Sequence, residues 1–501
     1  MERIDVIVVG GGSAGAVVAA RLSEDPSTSV LLLEAGPDNT SADTPAGIRA
    51  ANWFKAYEEP GRLWPNLVAR RRPGQPELFY RRGRGIGGSS AVNGMAAIRG
   101  MPDDYDRWAG EFGCDGWGWS EMLPVFLAVE DDVDYGGDGV HGRGGPIPLR
   151  RLPFQELAPV DHTVRGVLAE LGYPDADDYH APDATGVSRW AFTWRDGARV
   201  STNDAYLEAA RPRPNFVVRG DVHVDRVLLE GRRAVGVRTA AGEEIEAGEV
   251  VLSAGAIHSP ALLLRSGIGV DDGLPVGRNL KDHATAGFEL ALEPAGRRAS
   301  LDEPVVGSLL RYTSGLHDAG PNDMQVHWFD VVGATEEGLA GARLRAAVMR
   351  VFSHGEVRLR SQDPFDDPII DFRLLSDERD LVRLRDGVRR MIEIVNHPAL
   401  QAIAEKVTAQ GATIEQLDTD DAIGRWLADN VSDYVHAVGT CRMGRTDDNT
   451  AVVDLDLAVR GYTALRVVDA SIMPDLPKCN THLTTVAIAE QFAKRAGSRA
   501  R

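Results

Sequence analysis

The opening of the chain constrains its fold more than any other stretch. Val6-Ile7-Val8-Val9 is an unbroken apolar run, as expected of a strand buried on both faces of a parallel sheet. Gly10-Gly11-Gly12-Ser13-Ala14-Gly15 follows as a turn, then a small-residue helix through Leu22, then a second apolar run over 29–33 ending at Glu34. This is a βαβ unit with Gly10-x-Gly12-x-x-Gly15 between strand and helix and an acidic residue after the next strand. Glycines permit the tight turn, let backbone approach a pyrophosphate and bring helix and strand together, while the helix N-terminus offers free N–H groups to phosphate. Glu34 is placed to accept from a ribose 2′-hydroxyl and to repel a 2′-phosphate. The same turn also reads as Gly11-x-Ser13-x-Gly15, the pattern of a hydrolase elbow. A hydrolase would leave Glu34 and a later glycine-rich segment without a use.

Residues 37–80 are rich in proline and read as loop, the usual material of covers and channel walls. Residues 131–153, rich in Gly, Pro and Asp, read as a surface excursion. Strands and hairpins are expected over 215–254, including one at 221–227, and short strand-like runs over 286–375 suggest a second, antiparallel sheet. Apolar residues at helical spacing predict a helix over 377–395, stopped before Pro398, and a terminal helix is expected from about residue 484 with Asn480 and Thr481 as caps.

At 501 residues the chain is long enough for two or three domains with a cleft between them. A formal net charge of −19 argues against nucleic acid or an anionic membrane as partner. Cys114, Cys441 and Cys479 are the three cysteines, and no two are spaced as CxxC. That excludes a thiolate metal knuckle or dithiol centre, no metal site is expected, and reducing cytoplasm is the expected compartment. The charged opening Met1-Glu2-Arg3-Ile4-Asp5 leaves no room for a signal peptide, and no apolar run is long enough for a spanning helix.

Four further segments resemble the glucose–methanol–choline (GMC) flavin oxidoreductases, in that family's order and across nearly the whole chain. They are Gly87-Gly88-Ser89-Ser90-Ala91-Val92-Asn93-Gly94-Met95; the stretch 255–269, opening Gly255-Ala256-Ile257-His258-Ser259-Pro260; His436-Ala437-Val438-Gly439-Thr440-Cys441-Arg442-Met443-Gly444; and Arg466-Val467-Val468-Asp469-Ala470 with Asn480-Thr481-His482 beyond it. The resemblance implies FAD rather than NAD. It implies that Gly10, Gly12, Ser13, Ala14, Gly15, Glu34 and Ala35 hold the ADP half, with Val224 at the adenine and Trp64 against the cofactor. Gly88, Ser89, Asn93, Gly94 and Met95 would line the pyrophosphate and flavin, and Asp469 and Ala470 the pyrophosphate and ribityl chain. Some relatives attach FAD through a histidine directly before the asparagine matching Asn93. Here that position is Val92, which has no nucleophile, so the FAD is expected to be non-covalent.

The resemblance also singles out His436 and His482. An alcohol is about as weak an acid as water, with a pKa of roughly 16, and releases hydride only as its hydroxyl proton leaves. An imidazole can take that proton while a second donor steadies the developing alkoxide, and hydride passes to flavin N5. His436 is expected as base and His482 as hydrogen-bond partner, though two close histidines titrate together and the reverse assignment stays open. The N-terminus of the terminal helix, aimed at flavin N1 and C2=O, would favour the reduced form. His258 and His283 lie in family-like segments and are expected to be structural. Arg70, Arg71, Arg72, Arg81, Arg82 and Arg84 form either a solvated face or an entrance for an anionic substrate.

The expected fold is therefore α/β: a Rossmann-like FAD domain from residues 1–150, 195–285 and 436–501, with a substrate domain on an antiparallel sheet with helices from 151–194 and 286–435. The expected activity is FAD-dependent oxidation of a small-molecule alcohol to an aldehyde or ketone by a dehydrogenase that passes electrons to a quinone or other carrier. An O₂-using oxidase and a non-redox FAD lyase are the alternatives.

Overall fold

The computed structural model describes residues 4–499; the opening Met1-Glu2-Arg3 lies outside them. The strand Ile4–Val9 pairs in parallel with Val30–Leu33 on one side and with Glu244–Leu252 on the other. Phe216–Arg219 and Leu465–Val467 extend this parallel sheet, and Val224–Glu230 and Arg233–Thr239 add an antiparallel meander. Ile7, Val8 and Leu32 have no solvent exposure, so the sheet is covered on both faces, as its uninterrupted apolar runs require. The helices Gly15–Leu22 and Thr481–Arg499 pack against each other beside it.

From Ile4–Val9 the chain crosses to a neighbour on one side, and only much later returns to the other. The loops diverge where that order reverses, opening a crevice beyond the carboxyl ends of the strands. The glycine turn at 10–15 sits at this point.

A second sheet is antiparallel, in the order Ala404–Thr408, Thr285–Leu292, Gly341–Val348, Met324–Phe329, Ser308–Tyr312, Gly186–Arg189. Helix Glu378–Val395 packs on it, its start capped by the Asp377 carboxylate accepting from the Arg379 amide. Its buried positions, Leu384, Val388, Met391 and Val395 among them, recur at helical spacing.

Four local expectations are corrected. The strand read over 221–227 is Val224–Glu230, because Asp221 is left-handed at φ 53° and cannot continue a pleat. The terminal helix starts at Thr481, a turn earlier than its apolar periodicity, which puts His482 in its first turn. Residues 37–80 are not bare loop: they hold the short helices Ala46–Arg49 and Trp53–Tyr57 and the strands Val68–Arg70 and Leu78–Phe79. Val68–Arg70 pairs with Ile369–Asp371, stitching this stretch to the far half of the chain. Finally, 131–153 is no simple surface excursion, since Asp132, His141 and Arg151 are buried. Burial opposes the charge of His141, but its ion pairs with Asp132 and Asp178, each 2.9 Å, outweigh it and raise its pKa to about 9.

Candidate active site

The crevice leads into one cavity of about 640 Å³, within the range that holds a cofactor or small ligand. Its floor is where two glycine segments cross. The Gly87 amide donates to the Gly11 carbonyl at 2.9 Å, and a Cβ on Gly88 would meet the Gly12 Cα at 2.7 Å. A Cβ on Gly15 would fall 1.8 Å from the Gly10 carbonyl oxygen, so only glycine lets the helix start this close to the strand. Ala14 precedes that helix without a side-chain cap, leaving backbone N–H groups free for an anion.

Glu34 already accepts three backbone N–H groups, from Gly11 at 2.8 Å and from Gly36 and Gly85 at 2.9 Å. A carboxylate offers about four lone-pair sites, so one is left for a ribose hydroxyl. Asp469 is likewise engaged, accepting from the Gly255 amide at 2.8 Å and the Ser259 hydroxyl at 2.5 Å. It ties down the start of helix Gly255–Arg265 rather than presenting a free carboxylate.

Of the residues picked out for the cofactor, Gly10, Gly12, Ser13, Ala14, Glu34, Ala35, Trp64, Gly88, Ser89, Asn93, Gly94, Val224, Asp469 and Ala470 all line this cavity. Gly15 and Met95 do not. Gly15 acts through helix–strand packing, and Met95, left-handed at φ 56°, is fully buried in the apolar cluster with Trp53 and Trp190. Trp64 stacks on His258, ring centroids 4.1 Å apart, and both face the cavity. An adenosine has a flat aromatic wall to lie against there. The cavity thus fits FAD: a glycine floor, helix N–H groups, a spare acceptor on Glu34, and an aromatic flank beside Val224.

His436 and His482 also line this cavity, with Asn480 between them in the lining and His482 reaching the glycine turn through Ser13. The Asn480 side-chain amide donates to His436 Nε2 at 3.2 Å, and His482 Nδ1 meets the Ser13 hydroxyl at 3.2 Å. The Asn480 Oδ1 and His482 Nε2 atoms are buried without a partner, which marks where a bound molecule's polar groups would go. Behind His436, its Nδ1 lies 2.9 Å from His283 Nδ1, and His283 Nε2 lies 3.1 Å from the Pro477 carbonyl.

These contacts favour one arrangement of the protons. Burial pushes His283 down to about 3, so it is neutral with a single N–H, and the Pro477 carbonyl claims that N–H at Nε2. Its Nδ1 therefore carries a lone pair and accepts from His436 Nδ1–H. That leaves His436 Nε2 with its lone pair toward Asn480 and the cavity. Burial, then the neighbouring His283 and Arg82, hold His436 well below the ordinary imidazole range, so it stays neutral. Burial, then Arg199, pushes His482 down to about 4.

Asp282 holds this arrangement from below. Its carboxyl accepts from the His436 amide at 2.9 Å and the Tyr434 amide at 3.2 Å. Burial, and then the Asp433 charge, raise its pKa to about 8. Val435, between them, is left-handed at φ 56°, an uncommon state for a β-branched residue. Donor atoms of Asp282, His283 and His436 lie within 4.8 Å of one another, close enough to hold a cation. Each is already accounted for by the hydrogen bonds above.

Sequence reasoning set His283 aside as structural and read Asn480 as a cap; both touch His436. The Asp282-His283 pair was visible in the sequence, but its contact with a residue 153 positions away was not. Among the arginines, Arg71, Arg81 and Arg82 line the cavity, while Arg70 pairs with Asp371 at 2.9 Å.

Known proteins resemble this one along its length. The GMC oxidoreductase N-terminal and C-terminal profiles match residues 4–285 and 351–489. The 5-(hydroxymethyl)furfural oxidase of Methylovorus sp. (strain MP688) is 38% identical over 526 residues, covering 98% of each chain. The oxygen-dependent choline dehydrogenase of Klebsiella pneumoniae (strain 342) is 34% identical, over 98% of this chain and 95% of its own. The crystal structure of pyridoxine 4-oxidase from Mesorbium loti superposes with a TM-score of 0.88 at 33% identity, covering 99% of each chain.

Proposed function

Since the chain belongs to the GMC oxidoreductase family, FAD-dependent enzymes acting on the CH–OH group of alcohols, we propose that it oxidises a primary alcohol on a flat ring to the aldehyde, with His436 as base and O₂ as acceptor. The observation that carries this reading is His436 Nε2 on the cavity wall, left as an acceptor by the Nδ1 contact with His283 and holding the Asn480 side-chain N–H at 3.2 Å, a hydrogen bond that a bound alcohol would replace.

His436 Nε2 takes the hydroxyl proton as the C–H bond breaks, becoming the imidazolium, whose Nδ1–H stays on His283. To His482 Nε2, a buried atom without a protein partner, we assign the hydrogen bond to the alcohol oxygen as it gains negative charge. Bound FAD supplies the two-electron acceptor for the hydride leaving the carbinol carbon. Burial of the site keeps both imidazoles neutral and ready before the alcohol arrives.

Trp53, Phe54, Tyr57, Trp190 and Phe329 on the cavity wall favour an aromatic or heteroaromatic substrate. The furfural and pyridoxine enzymes named above act on ring alcohols, which supports the same class. A quaternary ammonium such as choline is disfavoured, because Arg82 and Arg345 face the cavity. That the furfural and pyridoxine enzymes are oxidases, and the choline enzyme oxygen-dependent, supports O₂ over the quinone or carrier expected from sequence. Val92 before Asn93 supports FAD held without a covalent bond.

The test is an anaerobic panel of ring and aliphatic alcohols mixed with the yellow holoenzyme, followed by air. Bleaching by ring alcohols, then rapid recolouring with one H₂O₂ per aldehyde, is expected. Slow recolouring by air but fast recolouring by a quinone would move the acceptor back to a carrier. Failure of every alcohol to bleach the flavin would overturn the reading.

A further inference from the structure

The chain is strongly acidic overall, yet the substrate end of its cavity is lined by arginines. Arg343 and Arg345 are two residues apart on the strand Gly341–Val348, so both project from one face of the sheet. Arg81 and Arg82 come from the segment after Leu78–Phe79. Their partners differ. Arg343 is paired with Glu289, and nearby Arg71 with Asp433 at 2.6 Å. Arg345 donates only to the Thr285 hydroxyl, at 2.5 Å; Arg82 donates to the Val435 carbonyl at 2.7 Å and to the Tyr80 hydroxyl; and Arg81 lies over the Tyr57 ring at 5.0 Å. Among the described residues none of these three guanidinium groups has a carboxylate within ion-pair distance. The carboxylates whose charge reaches Arg345, Asp433 and Glu289, are already paired with Arg71 and Arg343.

Arg345 and Arg82 are partly shielded from water and Arg81 is exposed, and burial followed by the charge of Arg343 lowers the pKa of Arg345. Such an arrangement is stable when an incoming anion supplies the missing charge.

Its position matters as much as its charge. Across the ladder Arg345 faces His327, whose ring stacks on Tyr434 at 4.8 Å, and Tyr434 lies 4.4 Å from His436. Arg82 grips the carbonyl next to His436. These arginines therefore belong to the end of the cavity with the base, not to the glycine turn where a pyrophosphate would be held.

We propose that the substrate is a ring alcohol carrying an oxyanion, a carboxylate or a phosphate, with its hydroxymethyl group at His436 and its anion on Arg345, approached past Arg81 and Arg82. This rests on the alcohol-oxidase reading above and names its substrate class.

The test compares kcat/KM of the holoenzyme for benzyl alcohol, 4-(hydroxymethyl)benzoate and 4-(hydroxymethyl)phenyl phosphate, in wild type, Arg345→Gln and Arg345→Lys. The expected result is at least a tenfold preference for one anionic alcohol over the neutral one, weakening with added salt. In Arg345→Gln that ratio falls at least tenfold, and Arg345→Lys restores part of it. Which anion wins separates the carboxylate from the phosphate. Binding of unreactive benzoate and phenyl phosphate, read from the flavin spectrum, gives an independent measure and needs no turnover. Equal kcat/KM for neutral and anionic alcohols, with neither anion held more weakly by Arg345→Gln, would overturn this proposal while leaving alcohol oxidation intact. Bleaching by none of the three would sink both.

Discussion

The Nδ1 atoms of His283 and His436 lie 2.9 Å apart, and one of them must be the donor. Because the Pro477 carbonyl takes the only proton of His283, the donor is His436. A buried backbone carbonyl thus sets, through one imidazole, the protonation of the next. If His436 is the base, removing its ring costs the general-base contribution, about 10²–10⁴-fold. His436→Ala should lower kcat by that range while retaining FAD, as read by flavin absorbance of the purified protein and by stopped-flow bleaching.

If His283 positions His436, its loss should be seen in the pH profile as well as in rate. His283→Leu removes the acceptor for His436 Nδ1–H and admits the wrong tautomer. The acid limb of kcat/KM should then move, and the rate should fall about 10–100-fold. His283→Asn, which keeps an acceptor oxygen, should recover part of both. A rate loss with an unmoved pH limb would mean that His283 only packs.

Stability should depend on pH in two opposing ways. In the unfolded chain imidazoles take up protons below about 6.5, whereas His283 and His482 in the fold resist to about 3 and about 4. The unfolded state binds more protons in that window, so acidification below about pH 6.5 destabilises the fold. Asp282 works the other way: the fold keeps it protonated up to about 8, and stability is lost as pH rises toward that value. The slope of Tm against pH between 4 and 6 should flatten in His283→Gln.

Gly88 is left-handed at φ 50°, and a Cβ there would press on the Gly12 backbone. Gly88→Ala should therefore push the two glycine segments apart and yield largely colourless protein, measured as flavin per chain. Full occupancy would show that the crossing has slack.

Val435 holds a left-handed backbone between Tyr434 and His436, and such strain costs about 1–3 kcal/mol. Val435→Gly should relieve it, so Tm should hold or rise despite the added chain freedom. The freer loop should place His436 less well and lower kcat.

Much of the cofactor side was legible because its signals are local. An apolar run buried on both faces, a glycine turn and an acidic residue after the next strand are all set by neighbours in sequence, and the chain builds its βαβ unit where those signals fall. The substrate-side sheet and helix Glu378–Val395 were legible from periodicity for the same reason. What only the tertiary structure decided is which distant groups meet. His283 reaches His436 across 153 positions, Arg345 reaches His436 through His327 and Tyr434, and Met95 turns away from the cavity its motif borders. None of these contacts has a period or a spacing, because each arises where two sheets and their loops close over one crevice. The burial that makes them consequential, by stripping water from imidazole and guanidinium alike, exists only once that closure is complete.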